Sequence, residues 1–217
     1  MILQKPVILL FGKNGRWLRV AKALSPLGLV LPLADKIAIW LVYRKWRIVR
    51  QLRPDIIVNA SAYTAVDKAE SEPQAAYLIN AAVPSALAEE AAAIDALLIH
   101  YSTDYVFDGM QAGWYVEDDI PNPQSVYGAS KLAGENGIAA VGCRNLIFRT
   151  SWVFGAHGGN FAKTILRLAK ERESLNVIAD QYGAPTSAHL IADVTAQVIV
   201  RYWKWCLYWR NYYGLKS

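Results

Sequence analysis

Val7-Ile-Leu-Leu-Phe-Gly-Lys-Asn-Gly15 begins with five apolar residues and closes on two glycines three apart. An apolar run of strand length that stops at glycine reads as a buried strand entering a tight turn, and residues 16–24 continue with apolar side chains at helical spacing. A strand, a glycine turn and a helix start bring backbone N–H groups and the positive end of a helix dipole to one point, which suits a pyrophosphate. A glycine turn serves equally well where a chain merely needs backbone freedom. The third glycine of a full dinucleotide fingerprint would stand near position 18, where this chain has Leu18.

Outward from that stretch, strand-sized apolar runs recur at 29–33, 55–59, 97–101, 145–149 and 175–178. Helical patterns separate several of them, at 84–94, 126–140 and 161–173. Strand and helix in alternation predict an α/β fold, a Rossmann-like doubly wound parallel sheet covered on both faces. Ligands in such sheets lie beyond the carboxyl ends of the strands. The segments that follow the strands, 12–15, 59–64, 102–109 and 150–155, are polar or glycine-rich, as ligand-facing loops are.

The totals fit one principal domain, expected over residues 1–200, followed by an atypical tail at 201–217. With 217 residues, 54% apolar and 19% charged, the chain has ample material for a core and is no disordered segment. The net charge of +5 is scattered apart from Arg44, Lys45, Arg47, Arg50 and Arg53, so no nucleic-acid partner is expected. Cys143 and Cys206 give neither a disulfide framework nor a metal-ligand spacing, and the expected compartment is the cytoplasm. The apolar run 37–43 is bracketed by charges and falls well short of the ~20 residues of a membrane span. Trp203, Trp205 and Trp209 crowd the tail among Tyr202, Tyr208, Tyr212 and Tyr213. Three accounts of it stand open: an aromatic helix packed on the domain, an interfacial anchor with interleaved basic residues, or a segment read out of frame.

The chemistry is suggested by Tyr127 and Lys131, four residues apart in a predicted helix and so on one face of it. An ammonium about 5 Å from a phenol, at an effective dielectric near 20, favours the phenolate by roughly 3 kcal/mol, or about 2 pKa units. Tyr127 can then pass a proton to a carbonyl oxygen while hydride arrives at its carbon. Thr103, after the fourth strand, can hydrogen-bond the same oxygen. The spacing alone is weak, since Tyr212 and Lys216 repeat it; the position one helix after the Ser102-Thr-Asp104 loop distinguishes the first pair. Asp35, 20 residues beyond Gly15, is a candidate for a ribose hydroxyl and equally a surface residue capping a turn. Lys13 or Arg16 could instead meet a 2′-phosphate, which leaves NADH and NADPH both open.

Four stretches together resemble the extended short-chain dehydrogenase/reductases: Tyr127-Gly-Ala-Ser-Lys131, His100-Tyr-Ser-Thr-Asp-Tyr-Val-Phe-Asp-Gly109, Arg53-Pro-Asp-Ile-Ile-Val-Asn-Ala60 and Ala62-Tyr-Thr-Ala-Val-Asp-Lys-Ala-Glu-Ser-Glu-Pro73. Phe148-Arg-Thr-Ser-Trp-Val153, Asn160-Phe-Ala-Lys163 and Asp180-Gln-Tyr-Gly-Ala-Pro-Thr186 extend the likeness. The resemblance implies an NAD(P)H-dependent reductase of a 4-keto dTDP-sugar, with Tyr127 as proton donor, Lys131 lowering its pKa and holding the nicotinamide ribose, and Thr103 at the keto oxygen. It further implies cofactor contacts from Gly12, Gly15, Arg16 and Trp17, from Ala62, Tyr63 and Thr64, and from Tyr101, while Asp104 and Trp152 face the nucleotide-sugar. The likeness is expected to end near Val198, with the C-terminal substrate lobe largely missing and with it the region through which family members bind Mg2+. Weak or no turnover and no metal are therefore expected. A non-catalytic NAD(P)-binding subunit of the same fold is the alternative function; a homodimer is compatible with the sequence, and membrane attachment rests on the tail alone.

Overall fold

The computed structural model describes residues 5–12, 18–33, 47–156, 160–177 and 180–213. Its contacts divide the chain into two compact units. One comprises Val7–Lys13 and Leu31–Thr150, the other Met1–Pro6, Asn14–Val30 and Ser151–Ser217.

The first unit is built on a sheet of strands β1 (Val7–Phe11), β2 (Leu29–Leu33), β3 (Ile56–Asn59), β4 (Leu97–Thr103) and β5 (Asn145–Thr150), in the order β2-β1-β3-β4-β5. β1, β3, β4 and β5 run parallel, with Leu10 beside Val58, Val58 beside Ile99 and Tyr101 beside Phe148. Edge placement in this described sheet suits β2, because Pro32 has no N–H to give to a neighbour. Ile8 to Phe11, Ile56 to Val58 and Leu98 to Ile99 have no exposed surface, as expected of strands covered on both faces. Leu9, Phe11, Ile57 and Leu98 form one core with Val83, Leu87, Ala88, Ala91 and Ile138 from the covering helices. Each large side chain so buried contributes about 1.5–3 kcal/mol.

The helices of this unit are α2 (Arg47–Leu52), α3 (Val66–Ser71), α4 (Pro73–Tyr77), α5 (Val83–Ile94) and α6 (Val126–Val141), whereas α1 (Leu18–Leu24) belongs to the other unit. A π turn, Leu78–Ala82, joins α4 to α5. Pro84 lacks the N–H that would bond the Asn80 carbonyl in an α-helix, so the local widening has a covalent cause. α6 begins where the Ser125 hydroxyl accepts from Gly128 N–H and ends at Gly142 in the left-handed conformation. Gly134 lets α6 pass against the Asn80 carbonyl oxygen, since a Cβ there would overlap that atom.

In the second unit β6 (Val153–Phe154) pairs in parallel with β7 (Thr186–Ser187). α7 (Phe161–Glu171) has no fully buried residue, and α8 (Ala188–Tyr213) packs on α1. α8 runs unbroken across residue 200, so the aromatic tail is helical to Tyr213. No described helix is long and apolar enough to cross a membrane.

The predicted strand at 175–178 is not formed over its described residues, 174–177 being irregular. Leu175 and Val177 there pair with no described strand, and periodicity cannot supply a neighbour. The other predicted strands agree to within two residues, and 84–94 is the end of a longer helical run starting at Pro73. The apolar stretch 37–43 lies outside the described residues.

Candidate active site

The carboxyl ends of β1, β3 and β4 converge in one unit. At the end of β1, Gly12 has φ +87°, and a Cβ there would lie 2.5 Å from the carbonyl of Ala60 and 2.8 Å from Ser61 N. No side chain fits, so both backbones stay bare at the crevice, as close approach of a phosphate requires.

Asn59, the last residue of β3, is fully buried. Its Oδ1 accepts from Ser61 N–H (3.2 Å) and from the Ser61 hydroxyl (2.6 Å). Its Nδ2 lies 3.1 Å from Nδ1 of His100, the register neighbour on β4. Nε2 of His100 lies 3.2 Å from Nζ of Lys131, which also donates to the Tyr101 carbonyl at 2.6 Å. Lys131 is about 1% exposed. Burial lowers its pKa from 10.5 to about 8, against an opposing contribution from the charge of Glu135. Burial also pushes His100 well below the usual imidazole range, helped by the Lys131 charge and opposed by the Asn59 main chain. His100 is therefore neutral at physiological pH. Glu135, one turn beyond Lys131, is clamped by Arg149 of β5, whose Nη2 donates to it at 2.7 Å.

A second buried anchor is Asn80 in the π turn. Its Oδ1 accepts from Tyr63 N–H (2.9 Å), while its Nδ2 donates to the Tyr63 carbonyl (3.1 Å) and to the Ser130 hydroxyl (3.0 Å). Ser130 in turn donates to the Tyr127 carbonyl at 2.7 Å. The loop after β3 and the catalytic-candidate face of α6 are thus tied by one side chain. The Tyr63 phenol donates to Glu72 at 2.7 Å, the largest cause of its raised pKa.

Thr103 ends β4. Its hydroxyl accepts from Tyr105 N–H at 3.3 Å and donates to Asp104 at 3.1 Å. The Tyr127 ring meets Tyr105 edge-on at 5.5 Å, and Tyr101 stacks on Phe148. The Ser102 hydroxyl is buried without a hydrogen-bond partner among the described residues.

Of the residues predicted from sequence, Gly12, Ala62, Tyr63, Thr64, Tyr101, Thr103, Asp104, Tyr127 and Lys131 all belong to this unit. Trp152 belongs to the other, where its ring lies over Gly183 with a left-handed backbone at φ 42°. Gly15, Arg16, Trp17 and Asp35 lie outside the described residues. Sequence reasoning missed Asn59, His100, Asn80, Ser130 and the Glu135–Arg149 pair. A signal existed for two of them: Asn59 and His100 each interrupt an apolar strand with a polar side chain that must be paired if buried.

A bare glycine crossing at β1 and β3, a β4 hydroxyl without a partner among the described residues and a buried amino group on α6 are features that a dinucleotide site would use. Fold and site together define a protein of the Rossmann-like α/β class. More narrowly, the chain belongs to the RmlD substrate binding domain family, whose match covers residues 6–213. It is 50% identical over 207 residues to a dTDP-4-dehydrorhamnose reductase of Escherichia coli (strain K12), covering 88% of this chain and 66% of that protein. A Burkholderia thailandensis dTDP-4-dehydrorhamnose reductase is 49% identical, with 88% and 65% covered. The chain thus spans just under two thirds of the length of these curated relatives. Among solved structures, the Bacillus anthracis dTDP-4-dehydrorhamnose reductase in complex with NADP superposes with a TM-score of 0.85 at 36% identity, covering 90% of this chain and 71% of that one.

Proposed function

We propose that the chain carries the reductase site of an enzyme that converts dTDP-4-dehydrorhamnose to dTDP-L-rhamnose with NADPH or NADH. The observation that carries this reading is the placement of Tyr127 and Lys131 one turn apart on α6, with the Lys131 amino group held at the carboxyl half of β4. The names of the relatives and the NADP in the Bacillus anthracis structure point the same way.

The dinucleotide, when bound, supplies a hydride to the keto carbon. Tyr127 gives its phenolic proton to the keto oxygen, and Lys131 as an ammonium favours the phenolate left behind. Thr103 turns its hydroxyl proton from Asp104 to the same oxygen, which costs one charge-assisted bond and gains one to a developing alkoxide. Gly12, Gly15, Arg16, Trp17, Asp35, Ala62, Tyr63, Thr64 and Tyr101 hold the dinucleotide; Asp104 and Trp152 hold the nucleotide-sugar.

Titration of the purified chain with NADPH and NADH, followed by addition of the 4-keto nucleotide-sugar, tests the reading. Tyr127→Phe is expected to bind dinucleotide as the wild type does and to lose about 100-fold or more in turnover. Undiminished reduction by that variant would sink the assignment.

A further inference from the structure

The buried chain Ser61, Asn59, His100, Lys131, Tyr101 has a direction, and one backbone N–H determines it. Ser61 N–H is a donor, so the Asn59 atom that meets it at 3.2 Å is the carbonyl oxygen. The Asn59 NH2 then points at Nδ1 of His100, which must accept. A neutral imidazole that accepts at Nδ1 carries its proton on Nε2. That N–H faces Nζ of Lys131 at 3.2 Å. An ammonium has no lone pair with which to receive it, whereas an amine does and keeps hydrogens to donate to the Tyr101 carbonyl.

We infer that His100, oriented by Asn59, is a positioning residue whose Nε2–H seats the Lys131 amino group and favours its uncharged form over the ammonium in the dinucleotide-free protein. The groups facing Lys131 agree with this. On β4 they are the neutral His100 and the Tyr101 carbonyl; on β3, through His100, the uncharged Asn59; on α6, Tyr127 one turn before and Glu135 one turn after. The Glu135 charge is taken up by Arg149 of β5. Under the proposed reductase reading, on which this consequence rests, Lys131 gains a proton from solvent when the dinucleotide binds and the amino group leaves its seat for Tyr127. The seat itself does not depend on that reading.

Two measurements on the full chain separate the questions. In the dinucleotide-free protein, long-range 1H–15N spectra should show His100 protonated at Nε2 and bare at Nδ1, and the Lys131 Cε resonance should titrate near pH 8 instead of near 10.5. Asn59→Asp puts a second acceptor opposite Nδ1, which moves the imidazole proton to Nδ1 and offers Nε2 to an ammonium. The Lys131 midpoint should then rise by at least one pH unit. Ser61→Ala, which spares the backbone N–H, should leave the tautomer unchanged. A protonated Nδ1 in the wild type, or a wild-type Lys131 midpoint at the ordinary lysine value, would overturn the inference, and both are read without relying on any variant to fold. Calorimetry of NADPH binding at pH 8.5, in buffers of different ionisation enthalpy, should show uptake of about one proton, and binding without uptake would overturn the coupling. Absence of binding would instead count against the reductase reading, with the spectra still deciding the seat.

Discussion

Lys131 is the residue at which stability and chemistry meet. A base whose folded-state pKa lies below its unfolded value penalises folding at every pH at which the unfolded chain holds the proton. Here the penalty is full below about pH 8 and is relieved as pH rises towards 10.5, because in that window the unfolded chain binds the proton and the folded one does not. The shift corresponds to about 3 kcal/mol. Urea unfolding of the wild type and Lys131→Met at pH 7.5 and pH 10.5 should therefore show their stability difference moving by about 3 kcal/mol in favour of the wild type as pH rises. A pH-independent difference would mean that the amino group keeps its ordinary affinity for a proton. Tyr127 and Lys131 were legible at this scale because four-residue spacing on a helix is a sequence property. Their partners were not, because Asn59, His100 and Lys131 are separated by 41 and 31 positions and meet only through strand register and helix docking.

At the scale of elements, the helical run from Pro73 to Ile94 and α6 are matched by absence of side chain. Pro84 withholds a donor from the Asn80 carbonyl, the turn widens, and Gly134 of α6 passes at the oxygen so exposed. Gly134→Ala must displace one helix or the other and is expected to lose about 1–3 kcal/mol, the ordinary cost of overpacking. Gly142→Ala makes a contrast, since its Cβ would meet nothing within 4 Å and only the left-handed backbone at φ 70° is strained. A loss of about 1–2 kcal/mol is expected there. Thermal or urea melts of the two variants check both values; equal stability of Gly134→Ala and the wild type would show that the helices are free to separate. Sequence patterning identified 84–94 and 126–140 as helices through composition and spacing. It missed the π turn, whose cause, Pro84, stands as the first residue of the predicted run 84–94.

For the whole molecule, a ligand that binds only the folded state stabilises it in proportion to the logarithm of its concentration. NADPH at 100 times its dissociation constant should add about 2.7 kcal/mol. At about 2–4 °C per kcal/mol for a chain of this size, the melting temperature should rise by roughly 5–11 °C. Differential scanning fluorimetry over a range of NADPH concentrations checks this, and a flat response would remove the dinucleotide from the account. The two compact units are themselves a property of the whole chain: residues 14–30 belong with residues 151–217, far along the sequence, and no local signal announces such a partition.

Apolar runs of strand length, the glycine turn after β1 and the Tyr127–Lys131 spacing were determined by the sequence itself, since each depends on neighbours within a few positions. Which strands pair, that residues 174–177 join none of them, and where the Lys131 amino group points were decided by tertiary structure alone. The reason is desolvation: a buried polar atom must find its partner wherever the fold places one, and for Lys131 that partner is the nitrogen of a histidine whose own tautomer is set by a backbone N–H on a third segment.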